Sequence, residues 1–367
     1  MTAPTVSVVM CVFNGERFLH EAAESILAQS FRDFEFIVID DGSSDSTPLI
    51  LDAFAGRDAR LKVHHEPHLG LIASLNKGCG LARGEYIARM DADDIAKPDR
   101  LALQMEFMKG HPDIGVLGGA VELMDSDGRT IACSQNPPED AEIRKALQHR
   151  CPLWHPTVVF RREVFAQAGG YRSVVDAEDY DFWLRVAERF QMANLSSVLL
   201  QYRLHPGQTS LQGRVRQSLG MLAARAAADK RSRNLPDPLN EPRDLTPELL
   251  VEWGIPLREQ RRKIISDYLI WIRNMSMADE HAAALGAAHD LLKAGANEMS
   301  RAERADLHML IANLFCRMQC YSSGAISTGR AISARPTIMA RAVKRLLGAI
   351  IRNRGIQRKS RIERVAG

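Results

Sequence analysis

Short apolar runs alternate with amphipathic segments over the first quarter of the chain. Four runs have the composition of buried strands, at residues 6–12, 34–39, 61–64 and 86–90. The segments between them place apolar residues at helical spacing and predict helices over about 16–29, 47–55 and 72–82. Strands that are apolar throughout are typical of a parallel sheet covered by helices on both faces, so the alternation predicts a doubly wound α/β fold.

The pattern becomes mixed after residue 94. Residues 121–124 and 130–133 flank Asp127-Gly128 and predict a hairpin. Further strands are predicted at 157–160 and 197–202, with a helix over 178–190 between them. The predicted fold class is therefore a Rossmann-like, mixed but mostly parallel α/β sheet, contained in one domain over residues 1–213.

The remainder of the chain has a nearly continuous helical pattern. Residues 214–258 are predicted to be a connecting segment, because five prolines fall between 234 and 257. Helices are predicted over 260–277, 279–294, 301–318, 320–334 and 337–352, within an all-α domain at 259–367 that ends in a basic tail. Helix pairs that end in a proline such as Pro336 weakly resemble tetratricopeptide repeats, and a plain helical appendage is the alternative.

Charge divides the chain into an acidic and a basic part. Residues 1–213 hold 21 Lys and Arg against 30 Asp and Glu, a balance of −9, and residues 214–367 hold 27 against 15, a balance of +12. The six cysteines have no zinc-site spacing, which predicts reduced thiols and a cytoplasmic protein. No leader pattern and no apolar run near the ~20 residues of a membrane span is found, so we expect a soluble or peripheral protein.

Three loops follow the predicted parallel strands, and two of them are acidic. These loops are Phe13-Asn14-Gly15, Asp40-Asp41-Gly42-Ser43 and Asp91-Ala92-Asp93-Asp94. Ligands bind at the carboxyl ends of such strands, and no glycine-rich phosphate-binding motif is present. Phosphates bound here would need another positive partner, and carboxylates at a strand end predict a divalent cation. Of three Asp-x-Asp pairs, the one at Asp125 lies in the predicted hairpin turn and is interpreted as structural.

The chain resembles the family 2 glycosyltransferases of the GT-A fold over residues 5–210. The first motifs are Val6-Ser-Val-Val-Met10 with Phe13-Asn14-Gly15, Ser25-Ile-Leu-Ala-Gln-Ser-Phe31, Ile39-Asp-Asp-Gly-Ser-Ser-Asp-Ser-Thr47 and Leu75-Asn-Lys-Gly78. They continue with Ala82-Arg-Gly-Glu-Tyr-Ile-Ala-Arg-Met-Asp-Ala-Asp-Asp94, Pro98-Asp-Arg-Leu101, His155-Pro-Thr157, Gly169-Gly-Tyr171 and Glu178-Asp-Tyr-Asp-Phe-Trp-Leu-Arg185. Each motif alone is weak, whereas their joint order and spacing are specific.

The resemblance implies a role for each matching position. The residues that it implies for nucleotide-sugar binding are Cys11, Phe13, Asn14, Asp41, Asn76, Asp91 and Asp93. In that set Cys11 and Phe13 contact the base, through main chain and ring stacking. Asp41 accepts from a base imide, and Asp91 reaches the ribose. For Asn76 a solvated helix face is the alternative. Mg²⁺ or Mn²⁺ is expected on Asp93 and Asp91, with Asp94 nearby and His205 as a further ligand.

The resemblance also assigns the reaction, an inverting transfer from a nucleotide-sugar to an acceptor hydroxyl. Asp179 takes the place of the catalytic base and Glu178 completes the pair, with Asp181 as an alternative. His155 is interpreted as shaping the acceptor-side loop. A UDP-sugar donor is expected, although the arginine that some uridine-specific relatives place before the third helix is replaced here by Gly70. The acceptor is expected to be a glycan or a lipid-linked molecule in cell-surface polysaccharide, lipopolysaccharide or glycoconjugate synthesis.

Three other classes of protein were weighed. A nucleotidyltransferase also uses carboxylate-bound metal, but its glycine-rich signature is missing here. A catalytically inactive sugar-nucleotide-binding scaffold is disfavoured by the presence of Asp93 and Asp179. Nucleic-acid binding by the basic part is not expected, because it lacks a recognisable motif with interleaved aromatic residues.

The basic tail generates a first prediction, peripheral contact with an anionic membrane. Residues 341–367 hold nine Lys or Arg and one acid, with apolar residues spaced among them between 341 and 354. Each basic residue near an anionic leaflet contributes about 1 kcal/mol at best, and salt screens this attraction. We expect salt-sensitive cosedimentation with anionic liposomes that is lost when residues 338–367 are deleted. Unchanged liposome binding by the deletion variant would refute it; a solvated tail is the alternative.

Overall fold

The computed structural model describes residues 3–174, 176–208, 211–241, 244–295 and 299–335. The chain divides into two compact units. The first comprises Met1–Arg203 and Leu219–Ile255, and the second comprises Leu204–Ser218 and the chain from Pro256 onward. This division differs from the predicted one, because most of the expected connecting segment at 214–258 belongs to the first unit. The predicted domain limits stay a prediction.

The first unit is built on one mixed sheet, as the sequence predicts. Its strands are β1 (Val6–Val12), β2 (Phe34–Asp40), β3 (Leu61–His65), β4 (Tyr86–Asp91), β5 (Ile95–Ala96), β6 (Ile114–Met124), β7 (Thr130–Ser134), β8 (Val159–Arg161) and β9 (Gln191–Arg203). They pair in the order β3-β2-β1-β4-β8-β6-β9-β5, and β7 pairs with β6. The strands from β1 to β4 are parallel, and β8 runs antiparallel to β4.

Helices connect and cover these strands. Their bounds are α1 (Leu19–Leu27), α2 (Thr47–Arg57), α3 (Leu71–Leu81), α4 (Arg100–Gly110), α5 (Asp140–Leu147), α6 (Arg162–Ala168), α7 (Glu178–Val186), α8 (Leu211–Ser232) and α9 (Pro247–Glu252), and a 3₁₀ turn spans His155–Thr157. The predicted helix at 178–190 is thus shorter than expected. In α1 the buried side chains fall on one face, Leu19, Ala22, Ala23, Ile26 and Leu27.

The register of the parallel strands brings three strand ends to one edge of the sheet. Every residue of β1 and β2 is buried, which is why both read as continuous apolar runs. Cys11 of β1 lies in register with Ile39 on one side and Asp91 on the other, and Val12 pairs with Asp40. The loops that leave β1, β2 and β4 are therefore neighbours in space.

The amino-terminal part of a glycine-rich strand is not predicted by the sequence pattern. The predicted hairpin strand began at residue 121, whereas β6 begins at Ile114. A Cβ atom at Gly118 would lie 2.3 Å from Oδ1 of Asn194, and one at Gly119 would lie 2.4 Å from Cδ1 of Leu199, both on β9. Close approach of the neighbouring strand thus requires these glycines, whose low strand propensity conceals β6 in the sequence.

The second unit contains helices at the predicted positions. They are α10 (Leu257–Met277), α11 (His281–Gly295), α12 (Arg301–Arg317) and α13 (Tyr321–Ala334). A capping box between Ser300 and Glu303 starts α12, since each side chain receives the backbone N–H of the other residue. The predicted helix at 337–352 and the basic tail lie outside the described residues. Over the described part of the chain, no helix combines the length and apolarity needed to cross a bilayer.

Two glycines of α3 provide a matched test of how tightly this helix packs on β1. A Cβ at Gly78 would lie 2.6 Å from Cγ1 of the buried, branched Val9, whereas a Cβ at Gly80 would meet no atom within 4 Å. We expect Gly78→Ala to lower the free energy of unfolding by about 1–3 kcal/mol through overpacking. Gly80→Ala should raise it by roughly 0.5–1 kcal/mol through helix propensity. Urea denaturation of both variants measures these free energies of unfolding. Equal changes in the two variants would contradict the close packing of α3 on β1.

Candidate active site

The loops after β1 and β2 are joined by hydrogen bonds. The backbone N–H of Asn14 donates to Oγ of Ser43 at 2.9 Å, and Oδ1 of Asn14 accepts from the N–H of Ser44 at 2.8 Å. The N–H of Gly15 donates to Oγ1 of Thr47 at 2.9 Å. Asn14 adopts a positive φ of 51°, a conformation that asparagine tolerates better than most residues. The side-chain oxygen of Asn14 thus holds the second loop, and its contact with a nucleotide stays a prediction.

Asp41 anchors the segment that leads into α3. Its two carboxylate oxygens accept the backbone N–H groups of Leu69 at 2.8 Å and Gly70 at 2.9 Å. Nδ1 of His68 lies 2.9 Å from the same carboxylate. Gly70 has a φ of 90°, so the turn into the helix uses a conformation that favours glycine. A base that donates to Asp41 would share oxygens already engaged with this segment.

Phe13 and His68 form an exposed ring pair beside Asp41. Their ring centroids are 4.2 Å apart with an interplanar angle of 28°, which is a stacked arrangement. Phe13 is 48% exposed, unusual for a large apolar side chain. The structure therefore places Phe13 on the surface at the strand edge, where a planar base can reach it. His68 was missed by the sequence reasoning, because no motif there singles it out.

Cys11 lies buried in β1, and Asn76 is half-buried on α3. Cys11 is buried, and this burial raises the pKa of its thiol to about 12, so the thiol is neutral. The side chain of Asn76 forms two hydrogen bonds with the backbone of Tyr171, each 2.8 Å long. Asn76 thus joins α3 to the segment before α7, and its proposed contact with the nucleotide remains untested.

Three carboxylates cluster at the end of β4. Oxygen atoms of Asp91, Asp93 and Asp94 lie within 4.8 Å of one another. The buried guanidinium of Arg89 forms an ion pair with Asp91. Burial raises the pKa of Asp91 and raises that of Asp94 well above its usual range; the neighbouring acids add to both effects, and Arg89 opposes them. The cluster therefore retains a strong demand for positive charge.

Asp94 supplies a direct test of whether this cluster fits a metal ion. Its side chain is fully buried, and its Oδ1 accepts the backbone N–H of Arg203 at 2.8 Å. Its Oδ2 is buried without a hydrogen-bond partner in the described residues. A buried, unpaired carboxylate oxygen costs several kcal/mol unless a proton or a cation satisfies it. The all-oxygen donor set matches what Mg²⁺ and Mn²⁺ prefer, so the residues present fit such an ion.

Buried arginines fix the geometry of this loop. Nε of Arg203 donates to the backbone oxygen of Asp93 at 2.8 Å. Arg100, which is fully buried, donates to the backbone oxygen of Arg89 at 2.7 Å. These contacts join α4 and β9 to the end of β4. Sequence reasoning did not identify Arg89 or Arg203 as part of the site, because both lie outside the loops themselves.

The acidic start of α7 contains three carboxylates with different environments. Asp181 is fully buried and paired with Arg172 and Arg185. Burial, and then the charge of Asp179, raises the pKa of Glu178 to about 8. Burial also raises the pKa of Asp179, to about 6, and an N–H donated by Tyr180 opposes this shift. At neutral pH, Glu178 is therefore mostly protonated while Asp179 is mostly ionised.

Two cavities are lined by acidic residues of the β4 end and of α7. One, of about 470 Å³, is lined by both Asp91 and Asp179, with Trp154 and Tyr202. The other, of about 700 Å³, is lined by Glu178 together with Gly70 and neighbouring residues of α3. Asp91 of the carboxylate cluster and Asp179, the candidate base, thus line one partly open cavity, which is large enough for a small ligand.

The two histidines considered from the sequence lie in different surroundings. His155 lines the smaller cavity, and its Nε2 is 3.0 Å from the hydroxyl of Tyr171. Burial lowers the pKa of His155 well below its usual value, so the ring is neutral. His205 belongs to the second compact unit, directly before a short 3₁₀ turn, and its assignment as a metal ligand stays a prediction.

Comparisons with known proteins identify the class to which this site belongs. The sequence model described as "Glycosyl transferase family 2" matches residues 7–169. An uncharacterized glycosyltransferase of Haemophilus influenzae is 34% identical over 221 residues, covering 56% of this chain and 68% of that protein. The O-antigen biosynthesis glycosyltransferase WbnJ of Escherichia coli is 32% identical, over 54% of this chain and 80% of its own length.

The fold has counterparts among solved structures. The crystal structure of residues 1–349 of S. aureus TarS aligns with a TM-score of 0.52 at 17% identity, covering 90% of this chain and 92% of that one. The structure of the same fragment in complex with UDP-GlcNAc aligns over the same shares with a TM-score of 0.50. The chain belongs to glycosyltransferase family 2, and its sheet has the GT-A fold that the sequence predicts.

Proposed function

We propose that this glycosyltransferase moves a sugar from a nucleoside diphosphate sugar, with a UDP-sugar favoured, onto an acceptor hydroxyl with inversion at the anomeric carbon. The observation that carries the proposal is the cavity of about 470 Å³ that both Asp91 and Asp179 line. An inverting transfer needs diphosphate binding and proton removal on opposite sides of one reacting carbon. Asp91 and Asp179 border a single cavity, which supports this arrangement.

The leaving side of the reaction is assigned to the carboxylate cluster. Asp91 and Asp93 would hold Mg²⁺ or Mn²⁺, with Asp94 completing the set through its unpaired oxygen. When bound, such an ion supplies Lewis-acid stabilisation of a departing diphosphate. Arg203 holds the loop by donating its backbone N–H to Oδ1 of Asp94 and its Nε–H to the backbone oxygen of Asp93, so that the carboxylates are oriented before the donor arrives.

The attacking side is assigned to Asp179. Three neighbouring acids are available, and their environments distinguish them. Asp181 is neutralised by two arginines, and Glu178 is mostly protonated near pH 7 because its pKa is raised to about 8. Asp179, with a pKa of about 6, is ionised and yet basic enough to accept a proton during attack. As the acceptor oxygen bonds to the anomeric carbon, its proton passes to Asp179 and the bond to diphosphate breaks.

The donor and acceptor classes rest on similarity and on the exposed ring pair. TarS residues 1–349 have been crystallised with UDP-GlcNAc, and WbnJ is named for O-antigen biosynthesis. Phe13 offers a ring face for a base next to the carboxylate of Asp41. We therefore favour a UDP-sugar as donor, and a glycan or lipid-linked acceptor in cell-surface polysaccharide synthesis, handled by an enzyme in peripheral contact with the membrane.

The metal assignment predicts that excess EDTA abolishes turnover. Asp93→Asn should remove activity and weaken Mn²⁺ binding measured by titration calorimetry in the absence of any sugar, because a carboxylate ligand is lost. Asp127→Asn is the matched control, since Asp127 belongs to another Asp-x-Asp pair and lies exposed in the turn between β6 and β7. Full activity in EDTA, or equal Mn²⁺ affinity in the two variants, would rule out this assignment.

The base assignment predicts a separation between chemistry and binding. Asp179→Asn should lower kcat by at least ~10²-fold, the usual loss when a general base is removed, with UDP affinity near wild type. Because the pKa of Asp179 is raised to about 6, kcat of the wild type should fall as the pH drops through this value and the carboxylate becomes protonated. Measurement of kcat against pH, together with UDP titrations, checks both expectations.

Neighbouring variants provide the controls for that experiment. Glu178→Gln should retain the acid limb of the pH profile, because the proton acceptor is still present. Asp181→Asn should lower the free energy of unfolding instead, since it leaves Arg172 and Arg185 without their shared buried partner. If Asp179→Asn transfers sugar at a normal rate and Glu178→Gln loses this activity, the general base is Glu178 rather than Asp179. Release of pyrophosphate rather than nucleoside diphosphate would indicate a nucleotidyltransferase.

A further inference from the structure

The cavity lined by Asp91 and Asp179 is also lined by a cationic side chain. Arg150, in the loop after α5, lines it together with Gln135 and Asn136, which follow β7. Any sugar whose reacting atom lies near Asp179 must occupy this space. Groups on its wall therefore contact the donor sugar or the acceptor sugar, and the inference rests on the proposed function.

Among the described residues, the exposed side chain of Arg150 donates to neutral acceptors. Its Nη1 donates to Oδ1 of Asn136 at 2.6 Å and to the backbone oxygen of Cys151 at 3.4 Å. In the described part of the chain, no carboxylate lies within ion-pair distance of it, in contrast to the buried Arg172 and Arg185. The remaining N–H groups of its planar fork are thus available for a ligand.

An aromatic pair that lines the same cavity suits a sugar ring. Trp154 and Tyr202 lie with ring centroids 5.0 Å apart at an angle of 47°, and both line the cavity. Their apolar faces can pack against the C–H face of a pyranose. A sugar held there would share the cavity with Asp179 and with Arg150.

We infer that the sugar in this cavity has an acidic substituent, a carboxylate or a phosphate, that Arg150 binds. A neutral sugar has no need of a cation, and the carboxylates of Asp91 and Asp179 would repel an acidic group that had no partner of its own. A planar guanidinium matches carboxylate and phosphate oxygens in a bidentate arrangement. The acidic sugar is either the transferred residue of the donor or the residue that accepts it.

The test measures binding to the full-length protein with Mn²⁺ by titration calorimetry, in two arms. The donor arm compares UDP-glucuronate with UDP-glucose. The acceptor arm, in saturating UDP, compares methyl glucuronide and glucose 6-phosphate with methyl glucoside. In one arm the acidic probe should bind about tenfold more tightly or better, and Arg150→Gln should remove the preference while Arg150→Lys keeps part of it. The arm that shows the preference identifies the source of the acidic group.

Arg162→Gln is the control, because Arg162 is an exposed arginine at the start of α6 that lines neither cavity. It should keep the wild-type preference. Equal binding of acidic and neutral probes in both arms, or a preference that survives in Arg150→Gln, overturns this inference alone. Failure of the wild-type protein to bind UDP overturns the UDP-sugar donor that the proposed function favours, and with it both arms of this inference.

Discussion

The ion pair between Arg89 and Asp91 is the interaction on which the site depends. The chain places three carboxylates in four residues at the end of a buried strand, where their mutual repulsion is strong. Arg89 lies two residues earlier on the same strand with only 3% of its side chain exposed, so its charge acts from within the sheet. The arrangement leaves the carboxylates ordered and still short of positive charge, which is the condition that a cation-binding loop requires.

Burial also separates the acids of α7 into different states. Adjacent residues on a helix are turned by ~100° from each other, so Glu178 and Asp179 face different cavities. Asp181 lies on the inner side, where it forms ion pairs with two arginines, Arg172 and Arg185. A run of similar residues in the sequence thus meets three different environments: burial raises the pKa of Glu178 and of Asp179, while Asp181 is ion-paired. These differences follow from position and surroundings rather than from residue type.

Local pattern predicted much of the fold and part of the site. The parallel strands, the acidic loops and the helices of the second unit were identified because apolar spacing and strand-end position are local properties. The beginning of strand β6 was not recognised because it contains Gly118 and Gly119. These glycines are required by the close approach of β9, which lies far along the chain. His68 and Arg203 were missed for the same cause, since they contact Asp41, Asp93 and Asp94 from distant positions in the chain. Arg89 contacts Asp91, two residues away, but no local spacing distinguishes a buried arginine from a surface one.

The double hydrogen bond between Asn76 and the backbone of Tyr171 bears on how such enzymes can be recombined. It joins two segments that are 95 residues apart, and a Cβ at Gly170 would lie 2.7 Å from Oδ1 of Asn76. Chimeras that exchange the amino-terminal half of the sheet between relatives would separate this pair at any crossover between the two positions. An amino-terminal half taken from another enzyme must therefore have an asparagine at position 76, and the half that it joins must have a glycine at position 170. This requirement is independent of the sugar that the enzyme selects.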